Sequence, residues 1–178
     1  MHWERFDQPL KVKKPSIIGT VFSGDFFDEA IAENVRASLK IRMNKAPWHT
    51  FVVLTKQPQN IDLNEPNPEN LCIGVTVNNR KDYWRLNCLR RVKSSFKFAS
   101  FEPMYEDLWD TNLDDIDWVI IGGQTKPAFI PNTEWIDHLT ALALVHDLPV
   151  FHKNNLDLEF PLHEYPFSNK LEESLVTK

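Results

Sequence analysis

Apolar residues fall along this chain in short runs, and most runs end in small or polar residues. The clearest case is residues 116–125, IDWVIIGGQT, where Val119, Ile120 and Ile121 follow Trp118 and give way to Gly122, Gly123 and Gln124. A continuous β-branched run bounded by turn residues predicts a strand buried on both faces, as in parallel sheets. The glycine pair then permits a sharp turn or a close approach to a ligand. The same layout recurs five times. SIIGTVF (16–22) leads into Ser23, Gly24 and Asp25, and TFVVL (50–54) into Thr55 and Lys56. LCIGVTV (71–77) leads into Asn78, FKFASF (96–101) into Glu102 and Pro103, and PVFH (149–152) into Lys153 and Asn154.

Helical spacing fills three of the gaps. Residues 26–44 carry Phe27, Ala30, Ile31, Val35, Leu39 and Met43 near a 3.6-residue period. Asp28 and Glu29 stand early and Arg42 and Lys45 late, as the helix dipole favours. Residues 80–92 place Tyr83, Trp84, Leu86, Leu89 and Val92 on an apolar side, with Arg80, Arg85, Arg90 and Arg91 outward. Residues 134–146 form a third helix, capped by Asn132 or Thr133. The proline-broken stretch 57–70 can hold only a short turn of helix or an ordered loop, and 104–115 reads as a loop.

Six strands joined by connections of βα length predict an α/β fold with a parallel sheet. A polar residue at every strand end, not only near a switch point, favours a partial, open (β/α) barrel of about six parallel strands over a doubly wound sheet. The chain is read as a single domain. Residues 1–15 form an irregular N-terminal segment, 16–155 the β/α core and 156–178 an irregular tail. The first strand should stand at a sheet edge, covered by the N-terminal segment, the tail or a second copy of the chain.

Composition narrows the functional classes. The net charge of −5 argues against broad nucleic-acid affinity, although the arginines of 80–92 leave a local contact open. No apolar run approaches the ~20 residues of a membrane span. Cys72 and Cys88 form no CxxC, and the six histidines show no ligand spacing, so no metal site is expected. These features together predict a soluble, cytoplasmic protein.

The candidate chemistry lies at the strand ends. Ser23, Asp25, Thr55, Lys56, Asn78, Ser100, Glu102, Gln124, Lys153 and Asn154 would converge on the edge where parallel α/β folds bind ligands. Two carboxylates, lysines and amides there could hold an anionic, zwitterionic or nucleotide ligand and move a proton. Glu102 is the candidate general base.

The ordered runs RFDQPLKVKKP, FSGDFFDE, HTFVVLTKQPQ, IGVTVNN, FASFEPMYEDL, DWVIIGGQT and PVFHKNNL resemble a phage- and mobile-element-associated family of unknown function, considered radical-SAM-like. The resemblance spans residues 5–156. It implies a partial barrel and a site at the carboxyl ends of the strands, with S-adenosylmethionine as a cofactor candidate. It also implies contacts from Ser23, Gly24, Asp25, Lys56, Asn78, Glu102, Gly122 and Gly123, with Gln124 and Lys153 beside them. Members of that family carry an N-terminal strand and a cysteine-rich loop for a [4Fe–4S] cluster, and this chain is expected to begin after them. The resemblance therefore implies a barrel that is inactive alone or dependent on a cluster-bearing partner chain. The alternatives are a nucleotide or nucleic-acid binding module and a cluster-independent enzyme using Glu102.

Overall fold

The computed structural model describes residues 6–21 and 24–167. Its strands are β1 (Ile17–Gly19), β2 (Thr50–Thr55), β3 (Leu71–Thr76), β4 (Phe96–Phe101), β5 (Trp118–Ile121), β6 (Gln124–Thr125), β7 (Ala128–Phe129) and β8 (Val150–His152). Six of them form one parallel sheet in the order β1-β2-β3-β4-β5-β8. β6 and β7 pair separately as a small antiparallel hairpin, which the hydrophobic pattern gave no sign of. Each strand joins the sheet beside its predecessor, so there is no reversal and no switch point. The sheet curls into a half-barrel, and the partial open barrel is the architecture of the chain.

Alternation along the strands separates two faces. On the outer face Phe51, Val53, Ile73, Val75, Phe101 and Val119 pack in one core with Met43, Leu86, Leu89, Ile136 and Leu139. The latter residues come from α2 (Glu33–Lys45), α3 (Tyr83–Arg90) and α4 (Thr133–Val145). A fourth helix, α1 (Gln8–Lys11), is one short turn inside the segment expected to be irregular. On the inner face Val52, Cys72, Phe98, Trp118 and Ile120 form a second cluster, joined by Leu54, Phe96, Phe151, Tyr165 and Phe167. Gly74 makes room for this layer, since a Cβ there would overlap the Phe98 ring. The Trp118 ring sits 5.7 Å from Phe98 and 5.8 Å from Tyr165, so the tail fills the lower half of the lumen. Each aromatic ring so buried contributes roughly 1.5–3 kcal/mol.

The tail is also ordered by the sheet. Residues 162–164 run antiparallel to β8, with the His152 N–H donating to Leu162 O at 2.7 Å and the Glu164 N–H to Val150 O at 2.9 Å. The indole N–H of Trp118 donates to Glu164 O at 3.0 Å. Thus β1 is an edge strand, as expected, but the tail, one of the covers expected for it, lies instead along the opposite edge at β8. Buried His152 is fixed between Leu162 and Thr140. The Leu162 N–H donates to Nδ1. The Thr140 hydroxyl gives its proton to Ile136 O and accepts from Nε2. Both contacts suit the neutral ring, and burial pushes its pKa below the ordinary value, with nearby His163 adding to the effect.

Two helices depart from the periodicity. α2 begins at Glu33, not near residue 26, because Asp25 and Asp28 each turn the chain locally. The Asp25 carboxylate accepts from Phe27 N and that of Asp28 from Ala30 N. Such side-chain bonds compete with helical ones, so Phe26 and Phe27 are buried from a turn. Glu33, rather than Asp28 or Glu29, is the acid of the first helical turn. In α3, Trp84 faces outward at 42% exposure while Leu86, Leu89 and Val92 are buried, so the apolar stripe is narrower than the spacing implied. The third helix is as read: Asn132 caps it by accepting from Glu134 N at 3.0 Å. Among the described residues no helix is long and apolar enough to cross a membrane.

Candidate functional site

Strand register places the site. Thr76, Ser100, Ile120 and Phe151 stand side by side across β3, β4, β5 and β8 on the inner face. One alternation further toward the carboxyl ends are Asn78, Glu102, Gly122 and Lys153, with Lys56 beyond β2. The aromatic layers below thus give way to a polar layer and then to a charged one. Glu102 is the centre of that charged layer. Its Oε1 accepts from the buried Ser100 hydroxyl at 2.8 Å, and its Oε2 pairs with Lys153 Nζ. The Glu102 side chain is 18% exposed and that of Lys153 43%, so the pair is shielded from below and open above.

A cavity of about 780 Å³ opens over this layer, lined by residues that include Lys56, Asn78, Glu102, Gly123, Gln124 and Lys126. Its walls are tied together. Asn78 Nδ2 donates to Pro103 O at 2.7 Å, and the Tyr105 N–H donates to Asn78 O at 2.8 Å. Tyr105 then donates its hydroxyl to Gln124 Oε1 at 2.6 Å and packs its ring 5.2 Å from Phe129. The loop after β4 is thereby joined to the β6–β7 hairpin. The peptide between Glu102 and Pro103 is cis.

Several expected site residues have other work. Neither Gly122 nor Gly123 has positive φ. A Cβ on Gly122 would lie 2.9 Å from Glu102 Cγ and 3.1 Å from Lys153 Cδ, so the glycine seats the ion pair. A Cβ on Gly123 would lie 2.9 Å from Phe129 O, against the hairpin. Both glycines answer to the protein's own atoms rather than to a turn. Asp25 does not line the cavity: its carboxylate accepts from Phe27 N and, at 2.7 Å, from Lys56 N. It ties the turn after β1 to the end of β2. The Thr55 hydroxyl accepts from Gln57 N at 2.9 Å, just ahead of the turn Pro58–Asn60. Gly24 lies in the β1 turn and Asn154 is exposed beyond β8, while Ser23, with Phe22 before it, lies outside the described residues. The structure therefore brings together Lys56, Asn78, Glu102, Gly122, Gly123, Gln124 and Lys153, and leaves Gly24 and Asp25 aside.

Three contributors escaped the sequence reading. Asn155 accepts from Gly123 N at 3.0 Å and donates to Gly123 O at 2.7 Å. Tyr105 and Lys126 line the cavity from loops whose residue patterns carry no period. Asn155 lies in the short turn Asn154–Leu156, where strand alternation no longer applies.

Three of the four arginines of residues 80–92 are turned to structure, and Arg91 is exposed. Arg80 pairs with Glu106 and Asp110, Arg85 with Asp82, and Arg90 donates to Asn112 O and Asp114 O. Arg80 and Arg90 thereby pin the acidic loop after β4 against α3 and the turn before it. Asp110 is held below the usual carboxylate range by its hydrogen bond from Arg80. Cys72 lies buried on β3, its thiol pushed up to about 12 by burial and then by Asp117, and Cys88 lies on α3. Among the described residues no three His, Cys, Asp or Glu side chains are grouped so as to hold a metal ion.

Neither the curated proteins nor the solved structures yield a match to this sequence. A family model described as a protein of unknown function, DUF5131, matches residues 1–158, and the chain belongs to that family.

Proposed function

We propose that this half-barrel binds a small zwitterionic or anionic ligand over the Glu102–Lys153 pair, and that it acts as the barrel part of a radical-SAM-like enzyme. The observation that carries this reading is the convergence of Lys56, Asn78, Glu102 and Gln124 from separate strand ends around one cavity, with Lys153 paired to Glu102. A volume of about 780 Å³ lies within the range of small-molecule sites, roughly 300–1,000 Å³. The donor set fits S-adenosylmethionine, which the resemblance names. A lysine ammonium would meet its carboxylate, and Glu102 or the amides of Asn78 and Gln124 its amino group.

A [4Fe–4S] cluster does not fit the residues present. Cluster ligation needs closely spaced thiolates on a loop, and Cys72 is buried in β3 while Cys88 lies on α3. Radical chemistry would therefore depend on a cluster held by another segment or by a partner chain. A second reading rests on the Ser100–Glu102–Lys153 hydrogen-bonded chain itself. An ionised carboxylate positioned between a hydroxyl and an ammonium can accept a proton at Glu102 without any cluster.

Binding of S-adenosylmethionine and S-adenosylhomocysteine, followed by calorimetry on the wild type and on Glu102→Gln, tests the proposal. The expected result is wild-type binding that Glu102→Gln weakens by at least about tenfold, since a charge-assisted contact is lost. Equal affinities in the two proteins would remove Glu102 from the site, and absence of binding by the wild type would reject S-adenosylmethionine as the ligand of this chain.

A further inference from the structure

The mouth of the half-barrel gathers positive charge in an acidic protein. Lys56 follows β2, Lys126 sits in the turn between β6 and β7, and Lys153 follows β8. Lys56 and Lys126 both line the cavity, and neither has an ion-pair partner among the described residues. Glu102 is the only carboxylate among the described lining residues, and its charge is met by Lys153. Asp25, outside the cavity lining but bonded to the Lys56 backbone, spends its oxygens on the Phe27 and Lys56 N–H groups. Two ammonium groups without ion-pair partners among the described residues thus line the cavity, whose lining carboxylate Glu102 is already bonded to Ser100 and Lys153, in a chain whose net charge is −5.

From this imbalance we infer that the substrate taken at the mouth carries a phosphate group, gripped by Lys56 and Lys126 with Lys153 in reach. The inference rests on the reading of the mouth as a ligand site and adds the substrate's chemical class. A phosphate supplies several acceptor oxygens, and charge-assisted bonds to them are about twice as strong as neutral ones. S-Adenosylmethionine has one carboxylate against an ammonium and a sulfonium. It cannot offset two unpaired lysines, so the phosphate belongs to a second molecule. That molecule is either a free nucleotide or the end of a nucleic acid, which share the phosphomonoester.

Lys153 gives the inference a distinctive sign. Its ammonium is shared with Glu102, so Glu102 competes with a phosphate for it. Removing the Glu102 charge should strengthen phosphate binding, whereas the same substitution weakens S-adenosylmethionine binding in the proposal above. The two readings are therefore separable with one variant.

The test is calorimetric titration of the full chain with adenosine 5′-monophosphate, adenosine and a 5′-phosphorylated dinucleotide. The wild type should bind the monophosphate at least about tenfold more tightly than adenosine, because the discriminating contacts are charge-assisted. Lys56→Gln and Lys126→Gln should each weaken the monophosphate by roughly tenfold and leave adenosine unchanged, while Glu102→Gln should tighten the monophosphate several-fold. Both lysines are exposed, so matching thermal midpoints will confirm that the variants fold. A dinucleotide that binds more tightly than the monophosphate assigns the phosphate to a nucleic-acid end; equal or weaker dinucleotide binding assigns it to a free nucleotide. Equal affinity for the monophosphate and adenosine, or lysine variants that bind like the wild type, would overturn the inference. If S-adenosylmethionine binds and the monophosphate does not, the mouth stands and the phosphate falls. If neither binds, both readings fall.

Discussion

The two ends of the half-barrel lumen are built from the same alternating positions and have opposite characters. Toward the amino ends, the inward residues of β3, β4 and β5 are Cys72, Phe96, Phe98 and Trp118, closed over by Tyr165 and Phe167 of the tail. Toward the carboxyl ends they are Thr76, Ser100, Glu102 and Gly122, followed by Lys153 and Lys56. A cavity of about 750 Å³ at the amino end is walled by four prolines with Trp48, Phe96 and Phe167, and by polar residues that include Asn44, Asn67, Glu69 and Asn70. One of similar size at the carboxyl end is walled by lysines, amides and Glu102. Size alone does not distinguish them. What distinguishes them is that one end buries apolar area, which stabilises the fold, while the other holds charges in fixed places at some cost to stability. Barrel folds in general divide stability and chemistry between their two ends in this way.

That division can be broken by experiment. Trp118→Ala should have the largest effect. It removes a ring in contact with Phe98, Phe151, Tyr165 and Phe167 and the hydrogen bond to Glu164 O. Chemical denaturation should show a loss of about 3–5 kcal/mol. A loss below about 1 kcal/mol would mean that the tail does not close the amino half.

His152→Gln should come next, at roughly 1–3 kcal/mol, because it disturbs two buried hydrogen bonds. It also carries a pH signature. Burial, and then His163, disfavour a proton on His152 in the native state, while the unfolded state binds one near pH 6.5. Its contribution is therefore fully present above that pH and is lost as the pH falls below it toward the depressed native value. Denaturation midpoints from pH 7.5 to 5 should decline more steeply for the wild type than for His152→Gln. Parallel declines would place the pH dependence elsewhere.

Gly122→Ala should have the smallest effect on stability, about 1 kcal/mol from crowding, and the largest on the mouth relative to its cost. The added methyl would meet Glu102 Cγ and displace the ion pair. A variant that folds near the wild-type midpoint but binds no ligand would sharpen the contrast between the ends. One that folds and binds normally would show that the Glu102–Lys153 geometry is not needed.

The fold was legible in the sequence because parallel strands announce themselves as β-branched runs with polar ends, and all six lie where the pattern places them. The site was legible to the extent that parity was. Asn78, Glu102, Gly122 and Lys153 align because strand register is set by the same alternation that buries Cys72, Phe98 and Trp118. Where the reading failed, a side chain had found a backbone partner that no pattern of hydrophobicity encodes. Asp25 looked like a ligand contact and is a tie between two turns. Asp28 looked like a helix-start acid and opens a turn ahead of the helix instead. Gly122 and Gly123 looked like a sharp turn or a place for a ligand, yet the groups they accommodate come from just past β4, from the hairpin and from the segment after β8.

Asn155 engages both the N–H and the C=O of Gly123, the pair of bonds that a neighbouring strand residue would otherwise supply. A single amide thus acts as a prosthetic strand one residue long, splicing the end of β5 to the segment after β8 where the ladder itself has stopped. The width of the mouth is in this way decoupled from the length of the sheet: strands can end early, and the rim still keeps its shape. The arrangement also sets a stereochemical demand that other side chains of similar size do not meet. Aspartate at 155 would face Gly123 O with an acceptor, and leucine would leave both backbone groups without a partner. The rim is therefore held by a part that tolerates little substitution although it contributes no charge and no chemistry of its own.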